Sequence, residues 1–206
     1  MPRPDDRVMW TLGELGLAYD RIDVGGPFGG LDDGSYRAMN PPGRIPTLIA
    51  PSGAALWESK AIIRYLASAH GSEELYPRDL VLRAHAEAWM DWADAFASAV
   101  GRIRAAYRSA EASLEGARLA CDREAGILGV LEARLLSAPY LTGSVLSVAD
   151  LAMGVWGHRL MRCPIELGLT RFAGIESWWR RLCERPAFRE HVSSVVSARP
   201  QHIGTP

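Results

Sequence analysis

Apolar residues at steps of three and four open the chain: Val8, Leu12 and Leu15 mark one face, and Gly16 follows as a helix-closing glycine. This predicts an amphipathic helix. Tyr19, Ile22 and Val24 then read as a strand over Ala18–Val24. Gly25 to Ser35 is glycine-rich and predicts a surface loop; Gly25-Gly26-Pro27-Phe28-Gly29-Gly30 has no helix directly after it and makes a poor phosphate loop. Two further strands, Thr47–Ala50 and Ala54–Trp57, flank a Pro51-Ser52-Gly53 turn. A helix from about Ser59 to His70 carries Ile62, Leu66 and Ala69 at core spacing.

The pattern changes near Leu75-Tyr76-Pro77-Arg78-Asp79 and is almost wholly helical beyond it, so two layers of different class are expected. Trp89, Trp92, Phe96, Val100, Ile103 and Tyr107 recur at helical spacing and define one long helix whose aromatic stripe reads as core. Leu128, Leu131 and Leu135 mark another. Leu146-Ser147-Val148-Ala149-Asp150-Leu151 carries a capping box, in which the Ser147 hydroxyl accepts from the N–H of the third helical residue and Asp150 reaches back to the Ser147 N–H. That element is read as structural. The fold class is α+β, with one domain at residues 1–75 and an all-helical one at residues 81–206.

Composition narrows the function. With 206 residues and 48% hydrophobic content the chain builds a real core, and a net charge of −1 supplies no field toward nucleic acid or an anionic membrane. Lys60 is the one lysine; the other basic residues are arginine, which suits bidentate carboxylate contacts. Cys121, Cys163 and Cys183 lack paired spacing and read as reduced, mostly buried thiols in a cytoplasmic protein with no metal centre. Neither a signal peptide nor an apolar run of membrane length is present in the sequence.

The chemistry concentrates in Asn40-Pro41-Pro42-Gly43-Arg44-Ile45-Pro46-Thr47-Leu48 and in Ala55-Leu56-Trp57-Glu58-Ser59-Lys60-Ala61-Ile62. Proline after a β-branched residue at a strand entrance is where a cis peptide is held. A cis Ile45-Pro46 bond would turn the Ile45 N–H and C=O outward, to pair strand-like with a bound peptide. The second turn opens a helix at Ser59, whose free N–H groups and hydroxyl face a ligand carboxylate. Taken singly, an apolar-Pro pair is more often a loop entering an edge strand, and Glu-Ser before an amphipathic run a plain cap.

Together and in this order, the two turns resemble the glutathione site of the glutathione S-transferase family. Glu14-Leu15-Gly16-Leu17, Pro139-Tyr140-Leu141-Thr142-Gly143, the Ser147–Asp150 box, Trp178-Trp179-Arg180-Arg181-Leu182 and Arg185-Pro186-Ala187-Phe188 extend the resemblance over nearly the whole chain. It implies a thioredoxin-like N-terminal domain followed by a helical bundle. It also implies glutathione as co-substrate, with Arg44 on the glycyl carboxylate, the Ile45 backbone beside Pro46 on the cysteinyl unit, and Glu58 and Ser59 on the γ-glutamyl end. Arg102, Tyr107 and Trp156 would border a pocket for a small hydrophobic electrophile. Homodimerisation is implied as well, the thioredoxin-like half of one subunit packing on the helical half of its partner.

One part of the family pattern is missing. Members begin with a strand and a loop bearing the Ser, Tyr or Cys that activates glutathione, whereas Met1-Pro2-Arg3-Pro4-Asp5-Asp6 has room for neither. Either the natural chain is longer by roughly ten residues, enough for one strand and a turn, or the fold is altered and the usual activation is lost. The catalytic residue is therefore unassigned. Asp5 and Asp6 would cap the first helix and oppose a thiolate, with Arg3 and Arg7 as offsets, and no cysteine before Cys121 offers mixed-disulfide chemistry. Two functions of different class follow: a transferase conjugating the glutathione thiol to electrophiles, or a non-catalytic module of the same fold that binds ligands or a partner protein.

Overall fold

The computed structural model describes residues 6–108, 114–163 and 172–194. Helix α1 (Asp6–Glu14) comes first, then a segment without regular structure, a single helical turn at Gly26–Phe28 and the short α2 (Gly34–Met39). Strands β1 (Thr47–Ile49) and β2 (Ala55–Trp57) form an antiparallel hairpin that pairs Thr47 with Trp57, Leu48 with Leu56 and Ile49 with Ala55. Helix α3 (Ser59–His70) closes the first half. The second half holds α4 (Leu80–Arg108), α5 (Leu114–Arg123), α6 (Ala125–Ser137), α7 (Val148–Met161), α8 (Ala173–Glu184) and a closing turn at Pro186–Phe188.

Local chemistry accounts for most of these boundaries. Gly16 stands at φ 63°, and the Leu17 N–H reaches back to the Leu12 carbonyl at 3.0 Å, which is how a left-handed residue ends a helix. The hairpin turns through Gly53, whose N–H donates to the Ala50 carbonyl at 2.8 Å. At α7 the Asp150 carboxylate accepts from the Ser147 N–H at 3.0 Å and from the Ser147 hydroxyl at 2.9 Å, within the expected capping box.

Three expectations change. Ala18–Val24 is not a strand, because no neighbouring strand offers it a ladder among the described residues. Part of the glycine-rich stretch is ordered into the Gly26–Phe28 turn and the start of α2. On α3 the buried face is Ile62, Ile63, Leu66 and Ala67, while Ala69 is exposed at the end that outruns its neighbours.

Helix α1 joins the two halves. Val8 and Leu12 pack with Ile62 and Leu66 in a small cluster, whereas Trp10 enters the large core built on α4, α6, α7 and α8. Trp10 is fully buried, meets the Phe188 ring edge-on at 4.8 Å, and lies where a Cβ on Gly154 would come within 2.6 Å of it. Only a residue without a side chain lets α7 approach so closely. Lys60 to Asp94 at 2.7 Å and Arg64 to Asp91 at 2.8 Å tie α3 to α4.

Candidate functional site

The Ile45-Pro46 peptide is cis, as its sequence context leads one to expect. The loop before it is held from behind. The Arg44 carbonyl accepts from the Tyr36 hydroxyl at 2.7 Å and from Asn40 Nδ2 at 2.5 Å, and both side chains also meet Thr47 Oγ1, each at 2.9 Å. Asn40 is buried and Tyr36 nearly so, which fixes the loop without using any group of Ile45. Gly43, at φ 59°, sits directly against the Arg37 guanidinium, which in turn donates to the Pro41 carbonyl at 3.0 Å. Sequence reasoning missed Tyr36 and Asn40, since their partners lie in a loop that only folding brings back to α2.

The second turn is strained. Glu58 has φ 67° and ψ 115°, and it is the one non-glycine residue with positive φ among the described residues. Such a backbone costs on the order of 1–3 kcal/mol and persists where the surroundings enforce it. Its carbonyl starts α3 by accepting from the Ile62 N–H at 3.0 Å. Ser59 follows at the mouth of α3, 8% exposed, and its hydroxyl makes no hydrogen bond among the described residues. A nearly buried hydroxyl beside free helical N–H groups is a ready receptor for an anion.

Around these turns the charges are sparse. Arg44 is exposed and its side chain forms no ion pair among the described residues. The Arg7 guanidinium donates to the Ala152 carbonyl of α7 at 3.3 Å; burial pushes its pKa down, against the opposing pull of Asp94 and Glu58. It is thus engaged with the protein rather than open at the start of α1. Asp6 is buried in that first turn, and the Thr11 hydroxyl one turn on is spent on the Arg7 carbonyl at 2.8 Å. Arg3 and Asp5 lie outside the described residues.

The expected electrophile-pocket residues are not drawn together. Arg102 is clamped by Glu124 through two bonds of 2.5 and 2.9 Å, and Trp156 is covered by the Arg159 guanidinium at 4.2 Å. Arg102 and Tyr107 are five residues apart on α4 and so point roughly 140° away from each other. A cavity of about 660 Å³ opens between residues 73–89 and the 141–145 loop, on a different part of the surface from Ile45 and Ser59. Among the described residues no group of His, Cys, Asp and Glu is placed to hold a metal ion, and no helix is long and apolar enough to cross a membrane. Cys121 and Cys163 are buried, and burial pushes the half-buried Cys183 thiol up to about 11, away from nucleophilic reactivity.

A thioredoxin-type half in which the cis-proline and the start of α3 lie at the same end of the β1–β2 hairpin, where Thr47 pairs with Trp57, joined to a helical half, is the architecture of glutathione-dependent transferases. The chain belongs to the glutathione S-transferase family: residues 6–69 match the model of the "Glutathione S-transferase, N-terminal domain" and residues 99–186 that of the "Glutathione S-transferase, C-terminal domain". It is 34% identical to Glutathione S-transferase GstB of Escherichia coli over 199 residues, 93% of either chain. A theta class glutathione S-transferase from the citrus canker pathogen Xanthomonas axonopodis pv. citri, solved with glutathione bound, superposes with a TM-score of 0.76 at 33% identity, covering 93% of this chain and 94% of that one. Elongation factor 1-gamma 1 of rice is 28% identical over 176 residues, 79% of this chain and 40% of that longer protein.

Proposed function

We propose that the protein binds glutathione across the two turns and conjugates its thiol to small hydrophobic electrophiles, as a cytoplasmic homodimer. The observation that carries this reading is the pairing of the unpartnered Ser59 hydroxyl with the strained Glu58 beside it, at the open mouth of α3. A γ-glutamyl carboxylate there would accept from the Ser59 hydroxyl and the first N–H groups of α3. Ile45 would pair its backbone with the cysteinyl unit, Pro46 would hold that backbone turned toward the ligand, and exposed Arg44 would meet the glycyl carboxylate. The GstB similarity and the glutathione-bound relative support the same ligand.

The division into a glutathione-binding unit at residues 1–75 and a helical unit at residues 81–206 belongs to this reading. It is supported by the gap between the end of α3 at His70 and the start of α4 at Leu80. Leu80, Val81 and Leu82, exposed by 76%, 66% and 58% at the start of α4, support a subunit contact. Light scattering that gives the mass of a monomer at micromolar concentration would remove the dimer.

Conjugation needs the thiol ionised. A free thiol near pKa 8.5 is only a few per cent thiolate at neutral pH, so a donor or the positive end of α1 must lower that value. The donor is unassigned. An assay with 1-chloro-2,4-dinitrobenzene and glutathione tests the reaction, and turnover above the uncatalysed rate is expected. A second reading, a non-catalytic binding module, draws on the similarity to the elongation factor subunit and on the engagement of Arg7 and Thr11 within the protein. Glutathione binding without turnover would select it.

A further inference from the structure

The cavity of about 660 Å³ between residues 73–89 and the 141–145 loop lies apart from both turns, and its volume is in the range that encloses a small organic molecule. We propose that it binds an amphipathic organic cation, a protonated amine carried on an apolar ring system.

Its walls are fixed by the protein itself. The Leu75 carbonyl accepts from the Val148 N–H at 3.0 Å, which fastens the connector between α3 and α4 to the start of α7. Arg83 Nε donates to the Pro77 carbonyl at 2.7 Å, and Arg134 Nε on α6 donates to the Leu141 carbonyl at 2.8 Å. On α4, Leu82, His85 and Trp89 recur at i, i+3 and i+7 and so share the face that closes the cavity from one side. Little has to be ordered when a ligand enters.

Charge selects the occupant. The carboxylates of Glu73, Glu74 and Asp79 line the cavity, against the guanidinium groups of Arg78 and Arg134. Both guanidinium groups are engaged, since Arg78 pairs with Glu73 at 3.3 Å and Arg134 holds the loop carbonyl. Asp79 caps α4 with one oxygen, which accepts from the N–H groups of Val81 and Leu82 at 3.0 and 2.9 Å. Its other oxygen and the Glu74 carboxylate have no partner among the described residues. An anion would meet these two acids with no free guanidinium to answer it, whereas a protonated amine would pair with them.

The aromatic lining completes the match. Trp89 is half-buried and stands edge-on to Trp92, with ring centroids 5.5 Å apart. An indole attracts a cation through its ring electrons, and together with Leu141 and Val145 it covers an apolar body. A neutral apolar ligand would strip water from Glu74 and Asp79 and leave nothing in its place.

The test is calorimetry on the full chain with imipramine, a tricyclic tertiary amine, and carbamazepine, a neutral amide on a closely related ring system. Saturable binding of imipramine is expected, at least about tenfold tighter than that of carbamazepine and weakening as salt is raised. Glu74→Gln alters an exposed side chain without a partner and should lower imipramine affinity about threefold. Adding Asp79→Asn, which keeps a capping oxygen for α4, should bring the loss to about tenfold with an unchanged melting temperature. Saturating glutathione should leave imipramine affinity as it was. Equal affinity for the two compounds would mark a plain apolar pocket and overturn the proposal. So would absence of binding, full affinity in Glu74→Gln, or displacement of imipramine by glutathione.

Discussion

Glu14 and Arg185 stand 171 positions apart in sequence, and their side chains meet through two parallel hydrogen bonds of 2.8 and 2.6 Å. The same Glu14 carboxylate accepts from Trp10 Nε1 at 2.7 Å, so one acidic group orients the bulkiest residue of α1 and pins the end of α8. Because the pair is partly buried and bidentate, it is worth more than a surface ion pair. Arg185→Ala should destabilise the protein by about 1–3 kcal/mol, read from urea unfolding. An unchanged midpoint would show that α1 is held by Trp10 packing alone.

Asp150 does more than cap α7. Fully buried, it accepts from the Leu141 N–H at 3.1 Å and Trp178 Nε1 at 2.8 Å besides Ser147, which ties the 139–146 loop and α8 to the start of α7. Burial pushes its pKa up while the four donors pull it down. Asp150→Ala leaves those donors buried without a partner and should cost about 3–5 kcal/mol, more than a surface cap. A thermal melt within a degree or two of the parent would contradict this, since ~1 kcal/mol already moves the midpoint by several degrees in small domains and somewhat less in a chain of this size.

His158 predicts a pH dependence. Its Nδ1 accepts from Trp179 Nε1 at 3.1 Å, which fixes the neutral ring, while burial and the nearby Arg162, Arg104 and Arg159 lower its pKa from 6.5 to about 4. The folded value is depressed, so the unfolded chain takes up the proton first as pH falls. Stability from this residue is complete above about pH 6.5 and is lost on the way down to about pH 4, by roughly 3 kcal/mol in all. Urea unfolding of the parent and of His158→Gln between these limits checks it: the parent should lose more stability than the variant. Parallel curves would place the acid sensitivity elsewhere.

Ser59→Ala tests the glutathione site without disturbing the core, because the hydroxyl has no partner among the described residues. Loss of a charge-assisted hydrogen bond should weaken glutathione binding by about 1–3 kcal/mol in calorimetry, with little change in melting temperature. Unchanged affinity would remove Ser59 from the site.

Local signals carried far in this chain because helical periodicity, caps and tight turns are written in neighbouring residues. The Val8–Leu12 face, the Phe96–Val100–Ile103 stripe, the Pro51-Ser52-Gly53 hairpin and the Ser147–Asp150 box are all in place. The cis Ile45-Pro46 bond and the opening of α3 at Ser59 also stand where their sequence context points. Ala18–Val24 was less legible, since a strand exists only if another strand pairs with it, and that partner is remote information.

Sequence alone therefore determined the family, the two kinds of layer and the two turns, through patterns a few residues long. Tertiary structure alone decided that Tyr36 and Asn40 hold the Arg44 carbonyl, that Arg7 is spent on Ala152, and that Glu14 reaches Arg185. These contacts join side chains to groups on other elements. Which donor meets which acceptor is settled only when packing has excluded water and brought distant segments within hydrogen-bonding reach.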